Sequence, residues 1–387
     1  MHWLIVLLYV ITLVFCILYC ATITTIIIGW LRLIDYDKQN LETEVFSGLP
    51  SISVVIAMRN EEKNAPILLN CLANQDYPQE LLEIIIVDDH SSDATLEIIQ
   101  SYTTTVNIKL LSLPQGITGK KAAIRYGVET SQGELVVTTD ADCRMQAQWL
   151  TILGTFYSNH QSSVIIAPVI IKGNGLSGLV QSLEFLSLIA SAAGSASLGH
   201  PVLCNGANLA FKRDTYLTPT NNYYTSAASG DDMFLLQSIK KQFLTAKKIR
   251  SQIRFIKSRQ ATVITNGQTN VTSFFAQRRR WAAKSKLFSD AEIVGLGVLV
   301  FGFNFLLVLF TFASVFSPTL LSFALLLYFL KFLPDYILLH LAADYWHLKK
   351  SLWYFIPLQL LYPIYVTGVA IAGMFAGFNW KDRYYYR

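Results

Sequence analysis

SISVVIA (Ser51–Ala57), EIIIVDDHSSDAT (Glu83–Thr95) and ELVVTTDAD (Glu134–Asp142) are three apolar runs, rich in Ile and Val, and each stops at a polar cluster. Runs this short and this apolar read as strands of a parallel sheet buried on both faces. Between them the pattern turns helical. A helix through Leu72 follows the first run and one through Ile99 follows the second. IKLLSL (Ile108–Leu113) then leads into GKKAAIRYGVET (Gly119–Thr130), and QAQWLTILGTFY (Gln146–Tyr157) follows the third run. Strand and helix in alternation predict an α/β domain.

The polar clusters fall where such a sheet binds ligands, beyond the carboxyl ends of its strands. Arg59-Asn60-Glu61-Glu62 follows the first strand, Asp88-Asp89-His90-Ser91 the second, and Asp140-Ala141-Asp142 the last. One such cluster is commonly a helix cap; three at successive strand ends point to a site. Asp140 and Asp142 flank a single alanine, so in an extended chain both carboxylates face the same way. Two carboxylates side by side repel unless a cation intervenes, and Mg²⁺ or Mn²⁺ shared with substrate phosphates fits that arrangement.

Outside this region the chain is apolar. Residues 3–31 contain no charged residue, and at ~1.5 Å per residue they can cross a hydrocarbon layer of ~30 Å. MHWLIVLL lacks a basic leader, so a membrane anchor is expected rather than a cleaved signal. Ile293 to Phe316 and Ser351 to Trp380 are also free of charge and long enough to span. Pro318 to Ala343 carries Lys331 and Asp335 four apart, close enough to neutralise each other. With Pro334 beside the pair, this segment either spans with a kink or lies at the interface.

Basic residues set the orientation: RRRWAAKSK (Arg278–Lys286) and Lys349-Lys350 belong on the cytoplasmic side. The N-terminus then lies outside. The tail NWKDRYYYR (Asn379–Arg387) lies outside if all four segments span, and inside if Pro318 to Ala343 is interfacial. The expected division is a membrane helix over 1–31, a cytoplasmic domain over 32–291, membrane helices over 292–380 (about 293–316, 318–343 and 352–378) and a tail over 381–387. The expected location is the cell's inner, plasma membrane.

Composition agrees with a chain of two kinds of segment. The 387 residues are 52% hydrophobic and 15% charged, against about 25% charged in an ordinary soluble domain. A net charge of +5 is too mild to suggest nucleic acid. The five cysteines have no metal-ligand spacing and do not form a disulfide framework. Residues 32–211 hold 10 basic against 18 acidic residues, a balance of −8, whereas 212–286 hold 15 against 3, a balance of +12. The basic stretch suits either an anionic leaflet or a phosphorylated ligand.

VVIAMRNEE, CLANQDYP, EIIIVDDHSSDAT, GKKAAIRYG, the DAD triplet, CNGANLAFKR, SGDD and QRRRW occur in the order seen in glycosyltransferase family 2. These are the inverting GT-A enzymes that use nucleotide sugars, and the resemblance covers roughly Pro50 to Lys286. With membrane helices on both sides, the chain resembles the membrane-integrated branch, which includes cellulose, chitin and hyaluronan synthases and ceramide glucosyltransferases. The resemblance implies a Rossmann-like GT-A domain inserted between an N-terminal and several C-terminal membrane helices.

It implies roles as well. Ala57, Arg59, Glu61 and Asp89 or Asp88 would surround the nucleotide base and ribose. Lys120 would approach the base or diphosphate, Asp142 with Asp140 would hold the metal, and Gln277 and Arg280 would lie near the diphosphate. Asp232 matches the catalytic base; here the motif reads Gly230-Asp231-Asp232, which keeps both carboxylates and shortens the first. Gly206, Asn208 and Trp281 would lie toward the acceptor. The chain departs from the family at Arg125, where Asn is frequent. Leu176 to Ser197, with Glu184 its one charge, matches a region that in relatives lies against the bilayer; a buried helix gives the same pattern.

The expected function is transfer of a sugar from a nucleotide donor, a UDP-sugar foremost, to a lipid or lipid-linked acceptor. A processive polysaccharide synthase, with a growing glycan as acceptor, is the alternative, and a non-catalytic nucleotide-sugar-binding scaffold is the remote one.

Overall fold

The structure, a computed structural model, describes residues 2–39, 48–103, 107–173, 175–218, 230–243, 245–375, 378–380 and 383–385. It begins with the long helix α1 (His2–Arg32) and a short α2 (Tyr36–Gln39). The alternation read from sequence then appears as β1 (Ile52–Met58), α3 (Ala65–Ala73), β2 (Leu82–Asp88), α4 (Thr95–Tyr102), β3 (Ile108–Ser112), α5 (Lys120–Thr130), β4 (Leu135–Asp140) and α6 (Trp149–His160). All but one residue of β1 are buried, as expected of a strand covered on both faces. After β5 (Val164–Ile166) and β6 (Val169–Lys172) comes α7 (Gly175–Ser197), then β7 (Leu209–Lys212), α8 (Arg213–Leu217), α9 (Asp231–Lys241) and α10 (Ala246–Gln252). β8 (Ile253–Phe255), β9 (Val263–Asn266) and α11 (Val271–Lys284) complete the domain.

The main sheet has the order β3-β2-β1-β4-β7-β5-β8. Its first four strands are parallel, as expected, but β7 runs antiparallel to both β4 and β5. The reversal has a local cause. A single 3-10 turn at Gly206–Asn208 sits at the carboxyl edge of β4, where Thr138 Oγ1 donates to the Gly206 carbonyl at 2.8 Å. The strand that follows starts at that edge and can only run back along β4. β6 and β9 form a separate parallel pair.

The remaining helices are α12 (Ala291–Ala313), α13 (Pro318–Tyr345) and α14 (Phe355–Phe375). α1, α7, α12, α13 and the segment containing α14 are each long and apolar enough to cross a membrane. α13 settles against the whole length of α1. At the far end Tyr9 meets Phe323 and Phe310, at mid-length Tyr19 meets Phe303 of α12, and at the domain end Trp30 meets Tyr345 and Trp346. It passes Pro334 as one continuous helix. Lys331, fully buried, pairs with Asp335 at 2.5 Å, and Asp335 also accepts from Tyr19 and Gln359. The charged pair is thus satisfied inside the bundle.

The last segment leaves the domain end of α13 and runs alongside that helix, with Phe355 on Phe332 and Tyr336 and the Tyr328 hydroxyl donating to the Leu360 carbonyl. α14 also packs on α11: Tyr365 stacks on Phe274, Gly373 abuts Ala282, and Lys286 donates to the Met374 carbonyl. It is one continuous helix. Phe378–Trp380 and Arg383–Tyr385 pair as two short strands; residues 381, 382, 386 and 387 of the tail lie outside the described residues.

α7 joins the two parts. It crosses α1 where neither helix has a side chain: a Cβ on Gly29 would stand 2.0 Å from the Gly194 carbonyl oxygen, and one on Gly194 would stand 2.2 Å from the Ile26 carbonyl oxygen. Only glycine permits that approach.

Candidate active site

A cavity of about 400 Å³ opens beyond the carboxyl ends of β1, β2 and β4. One wall comes from the strand ends, with Ala57, Arg59, Glu61, Asp89, Asp140 and Asp142, and with Lys120 at the start of α5. The facing wall is α11, which presents Gln277 and Arg280. The sequence-predicted nucleotide and metal residues therefore converge on one cleft, apart from Asp88. Asp88 is buried, and both of its carboxylate oxygens accept from the Ser91 amide at 3.1–3.2 Å. It shapes the loop, whereas Asp89 faces the cleft.

The loops are held by their own backbone. Arg59 Nη1 donates to the Asp89 and His90 carbonyls at 2.6 and 2.8 Å, tying the ends of β1 and β2 together. Asp89 Oδ2 accepts from the Gly119 amide at 3.0 Å. Gly119 has φ +106°, a conformation that favours glycine, and it starts α5 so that Lys120 points into the cleft.

Lys120 Nζ lies 2.5 Å from Asp140 Oδ1. Burial pulls the Lys120 ammonium down, but Asp140, Asp231 and Asp232 outweigh it and hold its pKa well above the ordinary lysine value. Asp142 is in the opposite situation. Its Oδ2 accepts from Thr265 Oγ1 at 3.1 Å, yet burial, with Asp140 adding repulsion, raises its carboxyl above the usual range. Asp140 has a cation at contact distance, whereas Asp142 has the Thr265 hydroxyl and, at 3.9 Å, the Cys143 thiol. That donor set suits a hard divalent cation, which would relieve both carboxylates.

Asp231 and Asp232 open α9 after Gly230. Asp232 accepts from the Gly206 amide at 3.1 Å and from the Met233 amide at 2.8 Å, whereas the N-cap of the helix is Gly230, so the paired acids do not cap it. Burial raises the Asp231 carboxyl, with Lys120 and Lys284 opposing. Burial lowers Arg280, which Asp140 and Asp232 draw the other way. The α9 acids and the cleft thus share one electrostatic neighbourhood.

Two acceptor expectations change. Asn208 is fully buried and saturated: its amide donates to the Pro168 and Ala261 carbonyls at 2.8 Å each, and its oxygen accepts from Trp149 Nε1 at 3.0 Å. It fixes the 3-10 turn and cannot meet an acceptor. Trp281 does not line the cleft; its ring lies beneath the Arg278 guanidinium at 4.2 Å and beside Phe185 of α7. Gly206 keeps its place beside Asp232.

Sequence reasoning missed Thr265, Gln268, Ser273 and Lys284. Gln268 and Ser273 line the cleft, and Lys284, whose side chain lies beside Gly230, is in the field of Asp232 and Asp231. Lys284 had a signal, since it follows Arg280 by four and Gln277 by seven on one helix face. Arg278, the first of the arginine run, is buried against Glu184 of α7 at 2.5 Å.

Residues 53–216 match the family model described as Glycosyl transferase family 2. The chain is 32% identical over 131 residues to the poly(ribitol-phosphate) beta-N-acetylglucosaminyltransferase TarS of Staphylococcus aureus, covering 34% of this chain and 22% of that protein. It is 31% identical over 114 residues to the beta-monoglucosyldiacylglycerol synthase of Trichormus variabilis, covering 29% and 24%. The chain thus spans about a quarter of the length of these curated relatives. Among solved structures, the mannosyltransferase PcManGT of Pyrobaculum calidifontis, in complex with GDP-Man and Mn²⁺, superposes with a TM-score of 0.51 at 17% identity, covering 95% of this chain and 97% of that one. That likeness is one of fold, and it extends to the helices on both sides of the sheet. The match to glycosyl transferase family 2 therefore falls on residues 53–216, which hold the strand ends that build the cleft.

Proposed function

We propose that the protein is a membrane-bound inverting glycosyltransferase that moves a sugar from a nucleotide donor, a UDP-sugar foremost, to a lipid or lipid-linked acceptor. The observation that carries this reading is a second cavity of about 400 Å³ behind α11. It is apolar, built from α1, α7, α12, α13 and α14 with Phe274 and Phe275 of α11. One helix therefore presents Gln277 and Arg280 to the polar cleft and two phenylalanines to an oily chamber. An acceptor with a hydrocarbon part and a hydroxyl or phosphate head suits that pairing, and the Trichormus relative is named as a synthase of a glycosylated diacylglycerol.

In this reading Asp89, Glu61, Arg59 and Ala57 hold the base and ribose, and Lys120, Arg280 and Gln277 hold the diphosphate. Mg²⁺ or Mn²⁺ on Asp142 and Asp140 would supply charge neutralisation for the departing diphosphate. Asp232 takes the proton of the acceptor hydroxyl as that oxygen attacks the anomeric carbon, and Asp231, Lys284 and Lys120 set its local field. The domain sits on the cytoplasmic face, with the basic segments Arg278–Lys286 and Lys349-Lys350 beside it.

The test is nucleoside diphosphate release by the full-length protein in lipid nanodiscs, with Mn²⁺, a panel of nucleotide sugars and diacylglycerol or polyprenyl phosphate as acceptors. Asp232→Asn should lower kcat by about 10²–10⁴-fold and leave donor affinity unchanged. Absence of turnover with every donor, or an Asp232→Asn variant as fast as the parent, would overturn the proposal.

A further inference from the structure

A third cavity, of about 170 Å³, lies where α1 ends and meets α10 and β8. Its polar lining is cationic. Arg32 comes from the last turn of α1, Arg250 and Arg254 from the α10–β8 segment, Lys257 from the loop beyond, and His160 from the end of α6. No carboxylate lines it among the described residues, and none of Arg32, Arg250, Arg254 and Lys257 forms a salt bridge there. Asp35 is the nearest acid felt by Lys257, and it already accepts from the Tyr345 hydroxyl at 3.0 Å.

Lys257 and Arg254 are half-buried and held in place, while Arg32 and Arg250 are exposed. Lys257 Nζ stands 4.6 Å from the Trp30 ring centre and 5.0 Å from that of Tyr345, and Arg254 Nε donates to the Ser251 carbonyl. Burial, with Arg254 adding, lowers His160, and burial with Arg250 lowers Arg254. Like charges gathered round one cavity repel, and the repulsion is relieved by an anion. The surroundings specify which anion. Ile34 lines the cavity, and Ile34 and Leu31 are 68% and 63% exposed at the end of a helix long enough to span a membrane. Exposed aliphatic side chains beside a basic pocket fit the headgroup level of a bilayer.

We propose that this pocket binds the phosphodiester of an anionic phospholipid in the leaflet facing the glycosyltransferase domain. The inference rests on α1 spanning the membrane and is independent of the donor and acceptor readings. It gives the excess of basic residues in 212–286 a built site in addition to any diffuse attraction.

The full-length protein is reconstituted in vesicles of equal parts phosphatidylcholine and phosphatidylglycerol, extracted in mild detergent, and its retained lipids are counted by native mass spectrometry. The parent should retain phosphatidylglycerol preferentially, and the double variant Arg250→Gln/Arg254→Gln should lose that preference by about tenfold or more. Lys247→Gln/Lys248→Gln removes the same charge from exposed positions of α10 outside the pocket and should keep it. Equal loss in both double variants would mean only a diffuse basic surface, and no loss in either would mean no site. Displacement of the lipid by millimolar inorganic phosphate would reassign the pocket to a free anion. A photoreactive phosphatidylglycerol on the unaltered protein gives a second reading: crosslinks should map to residues 32–36 or 250–257, and crosslinks elsewhere would refute the site.

Discussion

Glu184→Gln should damage the donor site without touching it. Glu184 is the one charged residue of α7, and it receives Arg278 Nε at 3.0 and 3.2 Å, Arg278 Nη2 at 2.5 Å and the Tyr365 hydroxyl at 3.0 Å. Three helices are thereby fastened at one carboxylate. The pair is well sequestered, with side-chain exposures of 3% for Arg278 and 13% for Glu184. Removing one partner of such a pair costs ~3–5 kcal/mol, because the other charge stays buried. Arg278 keeps some compensation in the Gln277 side-chain oxygen and the faces of Phe274 and Trp281, at 4.6 and 4.2 Å. Such cation–π contacts contribute ~0.5–2 kcal/mol and persist in the variant, so the cost falls toward the lower end of the range for a broken pair, ~3 kcal/mol. The strain falls on α11, whose next residues toward the cleft are Gln277 and Arg280. Thermal unfolding in detergent should drop by on the order of 5 °C or more, and donor KM should rise about tenfold, the effect of ~1.4 kcal/mol of lost ground-state binding. Glu184→Leu with Arg278→Met, which leaves no orphaned charge, should recover most of the melting temperature but not the KM. A Glu184→Gln protein that melts with the parent and binds donor equally well would refute the reasoning.

Asp142→Asn should lower turnover about 100-fold or more while raising the melting temperature of the metal-free protein at neutral pH. The carboxyl is raised in the folded state, so the folded protein holds the proton to higher pH than the unfolded chain, and stability is lost as pH climbs through that window; Mn²⁺ that still raised the variant's melting temperature would contradict this. Lys284→Met removes a cation that holds the Asp231 carboxyl down, so the acid limb of the kcat–pH profile should move to higher pH; an unmoved limb would show that Lys284 does not reach the acids. Ser187→Trp fills the apolar chamber it lines and should raise acceptor KM about tenfold, the effect of ~1.4 kcal/mol, at constant donor KM, so that a change in donor KM alone would disprove the chamber's assignment.

β1, β2 and β4 were legible because they are largely buried and each stops at a charged cluster, a pattern local to a few residues. The same locality explains the six predicted residues that the strand ends bring to the cleft, since a strand end carries its side chains to a known edge. What sequence could not show depends on partners far along the chain. Asn208 and Gly206 look alike as small polar turn residues, and only the positions of Trp149, Pro168 and Ala261 reveal that the asparagine is consumed internally. Asp88 and Asp89 are adjacent, and the loop alone decides which faces inward. Thr265 meets Asp142 from 123 residues away.

The contact between Gly29 and Gly194 bears on how this protein can be handled. A leader of matching hydrophobicity but arbitrary sequence would put side chains into a gap that admits none, and α7 would be pushed away from the very residues that carry Glu184. Trimming the N-terminus to obtain a water-soluble fragment, or exchanging it for a generic anchor, should therefore yield misfolded material rather than a freed catalyst. The first thirty residues belong to the machine, and are no mere tether.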